Sequence, residues 1–339
     1  MNISKDKLRQ IAKFGKSMTK DDNTPDIERI AGLYPRGFMS IVASMAGTGK
    51  TWLMQYVACQ LSNGGRILEG IVAKSPSYKT LIMSGETGTL LLDKRLSKTC
   101  WSYNPEKIKV YSAIDMSLAG LNCMINTTDG QETLLAIIAQ EKPDIVFFDT
   151  LISFHSLDES KQGEMTNIYL YLLKLAKAFN CAIVLNHHTR KRPANAKDKK
   201  FNQEDVIGSS AGVRLSSSVY IITAVDDLQG GSTMTVSNVK AWDKKVPEFS
   251  YTFIEDKETG LIDFRIDFDT NNKNIFWSIR ERLIELLKTY EAGAMLEPAE
   301  VARQLQTSSD MARNYLDELV EKKKIERCRL LGALVYKVL

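Results

Sequence analysis

The chain has 339 residues, of which 44% are hydrophobic and 25% are charged, an ordinary composition for a globular protein. The length suits one large α/β domain with a smaller partner, and the composition excludes a disordered chain or a disulfide-rich miniprotein. The five cysteines are scattered and form no CxxC pair, which favours neither a disulfide framework nor a zinc site. Because the apolar runs are short and the start lacks a signal-peptide pattern, we expect a cytoplasmic protein without membrane contact.

The net charge of +4 is unevenly distributed along the chain. Residues 1–20, 190–200 and 320–339 carry local charges of +5, +5 and +4, which leaves about −10 for the remainder. The small total therefore conceals three basic stretches in an acidic body. Each stretch is compatible with a nucleic-acid contact and also with a solvated, lysine-rich surface.

In chain order, the first predicted element is a basic, helical N-terminal arm over residues 1–30. Residues 31–266 then alternate nearly continuous apolar strands with helices, which is typical of a parallel sheet covered on both faces. Three later strands have a period of two and predict an antiparallel extension of the sheet edge. The predicted fold class is therefore α/β, with a doubly wound, mostly parallel sheet and antiparallel edge strands. The predicted parallel strands are 38–44, 80–86, 108–113, 144–150, 181–188 and 219–224.

A polar stretch at residues 267–274 predicts a linker, and residues 275–339 predict a separate small domain. Three predicted helices followed by a β-hairpin give this domain the plan of a winged helix-turn-helix. The third helix, at 308–323, carries several acidic residues beside Arg313. The domain is therefore compatible with binding of duplex DNA and equally with docking of a protein.

Residues 44–51 read SMAGTGKT between a predicted strand and a predicted helix, where a phosphate-binding loop is expected. In such a loop, backbone amides wrap the phosphates, the lysine reaches the terminal phosphates and the hydroxyl that follows it ligates Mg²⁺. The sequence therefore predicts ATP and Mg²⁺ as ligands. One departure is Ser44, which stands where the usual pattern has glycine and predicts an entry turn made by a residue with a Cβ. The predicted nucleotide-binding residues are Ala46, Gly47, Thr48, Gly49, Lys50 and Thr51.

Two acidic residues complete the predicted site. Asp149 ends the buried strand DIVFFD, where P-loop folds place an acid that holds Mg²⁺ together with Thr51. The next residue is Thr150 and not a second acid, so the base that orients the attacking water must lie elsewhere. Glu86 is the best candidate, because it ends the strand after the P-loop helix and such strand ends border the ligand crevice.

These motifs together resemble the RecA/DnaB superfamily of motor ATPases, and within it the plasmid RepA-type hexameric helicases. The resemblance rests on residues 33–51, 81–88, 143–159, 185–191 and 207–214. It covers the core of the α/β domain but neither the arm nor the small C-terminal domain. It implies a homo-hexameric ring that hydrolyses ATP while acting on single-stranded DNA.

The resemblance also implies roles for individual residues. His187 or His188 would sense the γ-phosphate, and His187 aligns better with the polar sensor of the DnaB type. Arg214 would be an arginine finger that completes the site of a neighbouring subunit. DnaB-type helicases have an arginine two residues after a lysine on a late strand, whereas here Trp242 follows Lys240. This departure assigns the finger role to Arg214.

Two functions stay open at this point. The first is an ATP-driven DNA helicase or single-strand translocase of a plasmid or other mobile element, with residues 190–200 contacting the phosphates of the strand. The second is a nucleotide-switched DNA-binding initiator, loader or regulator that acts through the winged helix without unwinding. RecA-like strand exchange is less favoured, because no segment can be assigned to filament assembly.

Overall fold

The structure is a computed structural model. It describes residues 27–64, 76–99, 101, 103–190, 202–206, 210–226, 232–255 and 261–267 of the large unit. Of the C-terminal unit it describes residues 283, 286–287, 289–291, 293–305, 309–321, 324–330 and 333–338. Most of the predicted arm, the predicted linker after residue 267, the basic run at 191–200 and most of the helix predicted for 275–290 lie outside the described residues.

Eleven strands are described in the large unit. A short antiparallel hairpin precedes a sheet of nine strands. The hairpin strands are β1 (Arg29–Ile30) and β2 (Tyr34–Pro35). The sheet strands are β3 (Met39–Ser44), β4 (Thr80–Ser84), β5 (Ile108–Ser112), β6 (Ile145–Asp149), β7 (Ala182–His188), β8 (Ser218–Asp226), β9 (Ser232–Ala241), β10 (Phe249–Glu255) and β11 (Ile262–Asp267).

The spatial order of the sheet is β11-β10-β9-β8-β3-β7-β6-β4-β5. All pairings from β8 to β5 are parallel, whereas β8 to β11 pair in antiparallel fashion. This arrangement confirms the predicted mostly parallel sheet with antiparallel edge strands. The strand that leads into the P-loop, β3, lies between β7 and β8, so residues from both neighbours approach the loop.

Helices cover both faces of this sheet. They are α1 (Lys50–Asn63), α2 (Thr89–Leu96), α3 (Ala113–Leu118), α4 (Thr128–Glu141), α5 (Gln162–Ala178) and α6 (Ser210–Leu215). One hydrophobic cluster joins α1 to its face of the sheet, and a second joins α3, α4, α5 and α6 to the opposite face. Every residue of β3, β4 and β6 is buried, which explains why these strands read as continuous apolar runs in the sequence.

The N-terminal limit of the large unit differs from the prediction. Ile30 is fully buried in the same cluster as α1, and Arg36 binds Glu28 and Asp144 at 2.6 Å and 3.0 Å. Residues 28–30 therefore pack as part of the large unit, although the predicted arm extends to residue 30. The sequence conceals this, because the polar residues Glu28 and Arg29 directly precede the buried Ile30.

In the C-terminal unit, two helices pack on a three-stranded antiparallel sheet. The elements are β12 (Met295–Leu296), α7 (Pro298–Leu305), α8 (Ser309–Glu321), β13 (Ile325–Leu330) and β14 (Ala333–Val338), with the sheet order β12-β14-β13. The unit has its own hydrophobic cluster, which includes Leu316 and Tyr336. The winged helix-turn-helix assignment stays a prediction. Among the described residues, no helix combines the length and the apolar character needed to cross a membrane.

Candidate nucleotide-binding site

The P-loop connects the end of β3 at Ser44 with the start of α1 at Lys50. Gly47 and Gly49 adopt left-handed backbone angles, with φ of 77° and 89°, a conformation that favours glycine. A Cβ at Gly47 would meet nothing within 4 Å, so the loop is open on that side. No side chain caps α1 at Gly49, and the first amides of the helix therefore face a position suited to an anion.

Ser44 does not make the entry turn that its place in the motif predicts. It is the last residue of β3 and is fully buried. Its hydroxyl lies 2.9 Å from Nζ of Lys50, and the carbonyl oxygens of Ser44 and Met45 lie 3.3 Å and 3.2 Å from the same ammonium. The serine thus adds an acceptor for the lysine, which holds that side chain against the loop.

Burial lowers the pKa of the Lys50 ammonium, while the charges of Asp149 and Glu86 oppose this shift. A phosphate group at the loop would supply a nearer counter-charge, and the lysine would exchange its loop acceptors for phosphoryl oxygens.

Asp149 is buried at the end of β6 and both of its oxygens are engaged. The hydroxyl of Thr51 donates to Oδ2 at 2.7 Å, and the amide of Asn186 donates to Oδ1 at 2.8 Å. Burial raises the pKa of Asp149, although both hydrogen bonds oppose the shift. A carboxylate and a hydroxyl in contact are oxygen ligands of the kind that Mg²⁺ prefers, so these residues fit the predicted metal.

Glu86 follows β4 and lies beside the end of β6. Its Oε1 accepts a 2.8 Å hydrogen bond from the hydroxyl of Thr150 and lies 3.7 Å from Nε2 of His188. The backbone amide of Gly85 donates to the carbonyl oxygen of Asp149 at 2.8 Å, which fixes the two strand ends together. The side chain of Glu86 is 51% exposed, so water can reach this carboxylate.

The two adjacent histidines of β7 contact different parts of the molecule. His188 lies near Glu86, and Asn186, two residues earlier, contacts Asp149. His187 is buried, and its Nε2 lies 3.3 Å from Oε1 of Glu159. Successive side chains of a strand point to opposite faces, so His188 shares the face of Asn186 and His187 does not. The geometry therefore places His188, and not His187, beside Glu86, although the resemblance favours His187 as the residue that senses the γ-phosphate.

Arg214, like His187, is a predicted site residue that the described chain does not bring into this cluster. It is exposed near the end of α6, and its guanidinium has no hydrogen bond or ion pair with another described residue. The ammonium of Lys240 donates to the carbonyl oxygens of Val213 and Arg214 at 2.5 Å and 3.0 Å. Lys240 thus caps the end of the helix that presents Arg214.

Sequence reasoning missed several residues that shape the site. Asn186 and Thr150 hold the two carboxylates, and Tyr251 on β10 has its hydroxyl 3.4 Å from the carbonyl oxygens of Thr48 and Gly49. These contacts join residues far apart in the chain, and no motif connects them. The one available signal is that Asn186 and Thr150 are polar residues at the ends of apolar strands.

A P-loop with a threonine–aspartate pair at the carboxyl ends of a mostly parallel sheet defines a P-loop nucleotide-binding fold of the ATPase class. Residues 12–194, more than half of the chain, match a family described as AAA domain, and the chain belongs to that family.

Two solved structures resemble the chain at low identity. One is a KaiC-like protein, PH0186, from Pyrococcus horikoshii OT3, with 12% identity, a TM-score of 0.46 and coverage of 71% of this chain and 100% of that one. The other is the flagellar accessory protein FlaH from Methanocaldococcus jannaschii, with 15% identity, a TM-score of 0.43 and coverage of 70% and 93%. No curated protein sequence matches the chain.

Proposed function

We propose that the chain hydrolyses ATP at this site and uses the energy to move along or unwind DNA as a ring. The observation that carries the proposal is the convergence of Lys50, Thr51, Asp149, Glu86 and His188 at the carboxyl ends of three neighbouring parallel strands and the start of α1. In this set, Lys50 would bind phosphate, and Thr51 with Asp149 would bind the metal. Glu86 is a base that water can reach, and His188 is a second polar group beside it.

In the proposed reaction, the amides at the start of α1 and Lys50 bind the phosphates, and Thr51 with Asp149 holds Mg²⁺. The bound metal supplies positive charge against the charge that develops on the phosphoryl oxygens. Glu86 accepts a hydrogen bond from the attacking water and orients it, while Thr150 holds the carboxylate in place. His188 contacts the γ-phosphate and loses this contact when the phosphate is released.

The proposed ring rests on the RepA-type resemblance, and Arg214 is the residue that would act across its interface. An exposed guanidinium with no partner among the described residues is free to act on another molecule. We propose that Arg214 enters the site of a neighbouring copy in a homo-hexamer, where a fixed cation offsets the charge of the transferring phosphoryl group. Lys240 supports this role, since it fixes the backbone that carries Arg214.

The proposed DNA contact follows from the end of β7. Thr189 pairs with Val206, and the amide of Arg190 donates to the carbonyl oxygen of Asp205 at 2.8 Å. The basic run at 190–200 therefore begins two residues after His188. After this run, Asp205 and Val206 lie beside Arg190 and Thr189 again. Lysines and arginines there would neutralise the phosphates of a single strand without reading its bases. This proximity supports coupling between the γ-phosphate and the DNA.

A role in the replication of a plasmid or other mobile element is the finer proposal, and it rests on the RepA-type resemblance of the motifs. A nucleotide-switched initiator, loader or regulator is the second candidate. It is favoured by the separate hydrophobic core of the C-terminal unit, which allows that unit to bind duplex DNA or a protein independently of hydrolysis.

The proposal is tested by ATP turnover with and without single-stranded DNA. We expect stimulation by the strand, a decline of this stimulation with rising salt, and its loss when Lys197, Lys199 and Lys200 are replaced by alanine. Replacement of Lys94, Lys98 and Lys109 by alanine is the matched control, since it removes the same charge elsewhere. If single-stranded DNA changes ATP turnover in neither the wild type nor the two triple variants, the motor is contradicted and the nucleotide-switched protein is favoured.

A further inference from the structure

The face of the sheet opposite the P-loop contains a buried polar group that the proposed reaction does not use. It consists of His187 at the end of β7 and Glu159 and His155 in the segment after β6. His155 and His187 are 5% and 4% exposed. Within the described chain, no group of three or more such side chains has the arrangement of a metal site, so the cluster needs another explanation.

The ring of His187 has two distinct contacts. Its Nδ1 accepts a hydrogen bond of 3.1 Å from the backbone amide of His188. Since a neutral imidazole that accepts at one nitrogen carries its proton on the other, this contact places the proton on Nε2. Nε2 lies 3.3 Å from Oε1 of Glu159, within ion-pair distance, and both atoms are shielded from solvent and make no hydrogen bond with the described residues.

The charge states fit this arrangement. Burial acts to raise the pKa of Glu159, but the contacts with His187 and the neighbouring histidines outweigh it, and the pKa lies below its ordinary value. Burial lowers the pKa of His155, while the charge of Glu159 opposes this shift. Glu159 is therefore an ionised acceptor, and His187 is the donor that faces it.

We propose that Glu159 and His187 are positioning residues that hold the backbone of His188 and thereby aim its imidazole at Glu86 and the γ-phosphate. The chain of contacts runs from Oε1 of Glu159 to Nε2 of His187, and from Nδ1 of His187 to the amide of His188. The inference rests on the sensor role proposed above for His188.

Two substitutions of His187 separate the two contacts. His187→Asn keeps an acceptor near the position of Nδ1 but does not reach Glu159, and His187→Gln reaches toward Glu159 but lacks that acceptor. We expect His187→Gln and Glu159→Ala to lower kcat about tenfold while KM for ATP stays within about twofold, because binding residues are untouched. We expect Glu159→Gln to retain most of the activity, and His187→Asn, which keeps the acceptor for the amide but loses the support of Glu159, to lose less activity than His187→Gln.

The matched control is Glu164→Gln, which removes an exposed carboxylate on α5 and should leave kcat unchanged. Thermal unfolding of each variant identifies any that do not fold. Equal losses of kcat in His187→Asn and His187→Gln, at unchanged stability, would overturn the proposed role of the amide contact. A folded Glu159→Ala variant with the kcat of the wild type would also overturn the proposal.

A measurement independent of activity tests the geometry itself. The chain has only three histidines, so ¹⁵N-histidine labelling gives NMR signals from three imidazoles. The variants His155→Gln and His188→Gln each remove one set of signals and thereby assign the signals of His187. We expect His187 to carry its proton on Nε2 at neutral pH, and a proton on Nδ1 would overturn the proposal. If His187 has the expected form but His188→Ala hydrolyses ATP normally, the sensor role is wrong while the contact chain stands.

Discussion

The hydroxyl of Thr150 donates a 2.8 Å hydrogen bond to the carboxylate of Glu86, across the ends of two neighbouring strands. Thr150 is 2% exposed and immediately follows Asp149, the proposed metal ligand. It occupies the position at which a second acid would place the base on β6 itself. Here the proposed base, Glu86, follows β4, and Thr150 holds it. The site thus places the proposed base and the proposed metal ligand at the ends of different strands.

Glu86→Gln tests the proposed base. The amide retains the size of the side chain but is a poor acceptor for a proton of water, so we expect kcat to fall at least about 100-fold. Nucleotide affinity should stay close to that of the wild type, because Lys50 and Thr51 are unchanged. Steady-state turnover and fluorescent-nucleotide titration measure the two quantities. Glu106→Gln, an exposed position before β5, is the control. Undiminished turnover would remove Glu86 from its role.

Thr150→Val and Thr150→Ser test the hydrogen bond that holds Glu86. Valine conserves the shape but leaves the carboxylate without this donor, so we expect kcat to fall about tenfold with little change in KM for ATP. Serine retains the hydroxyl and should restore most of the rate. The same rate for both variants would show that the hydrogen bond does not position Glu86.

Gly85→Ala tests the close approach of the two strand ends. A Cβ at this glycine would lie 2.2 Å from Cβ of Ser153, so the neighbouring segment must shift. We expect the free energy of unfolding to fall by about 1–3 kcal/mol and turnover to fall with it, since Glu86 is the next residue. Gly163→Ala is the control, because nothing lies within 4 Å of its Cβ. Urea denaturation distinguishes the two, and equal stability of both variants would contradict the packing.

Glu159→Gln tests the charge of the buried cluster through its pH dependence. The folded-state pKa of Glu159 lies below the ordinary value of 4.5, so its ionisation stabilises the fold above that pH. This contribution is lost as the pH falls from about 4.5 through the folded-state pKa. We therefore expect the wild type to exceed the variant by about 1 kcal/mol at pH 7 and to approach it below pH 4. A difference that does not change with pH would contradict an ionised Glu159.

Mixing of two inactive variants tests the role of Arg214. Lys50→Ala should abolish nucleotide binding, and Arg214→Ala should abolish hydrolysis in the neighbouring site. In mixed rings, an intact P-loop can face an intact Arg214 from the other variant, so part of the activity should return. Turnover is measured against the mixing ratio. If Arg214→Ala alone is fully active, or mixing restores nothing, the proposed finger is wrong.

Much of the large unit could be predicted because its central strands are buried on both faces. Residues such as Ile145–Asp149 read as uninterrupted apolar runs that end in a polar residue, and the P-loop motif marks the strand–helix junction. The same double burial conceals which way each side chain points. The sequence therefore identified the histidine pair at the end of β7 but could not show that His188 faces Glu86 while His187 faces Glu159.

Contacts between distant segments were also beyond prediction. Lys240 caps α6, and Tyr251 reaches the carbonyl oxygens of the P-loop. Both depend on how the antiparallel strands β9 and β10 continue the sheet, and no local pattern encodes that. Ser44 is a different case. Its role as an acceptor for Lys50 depends on side-chain geometry that the motif pattern leaves open.

Strand displacement on forked DNA is the most direct test of the proposed motor. With ATP and Mg²⁺, we expect the wild type to separate the fork or to move along its single-stranded arm, and Glu86→Gln to bind the same DNA without doing either. ATP hydrolysis by the wild type with neither unwinding nor movement would contradict the motor.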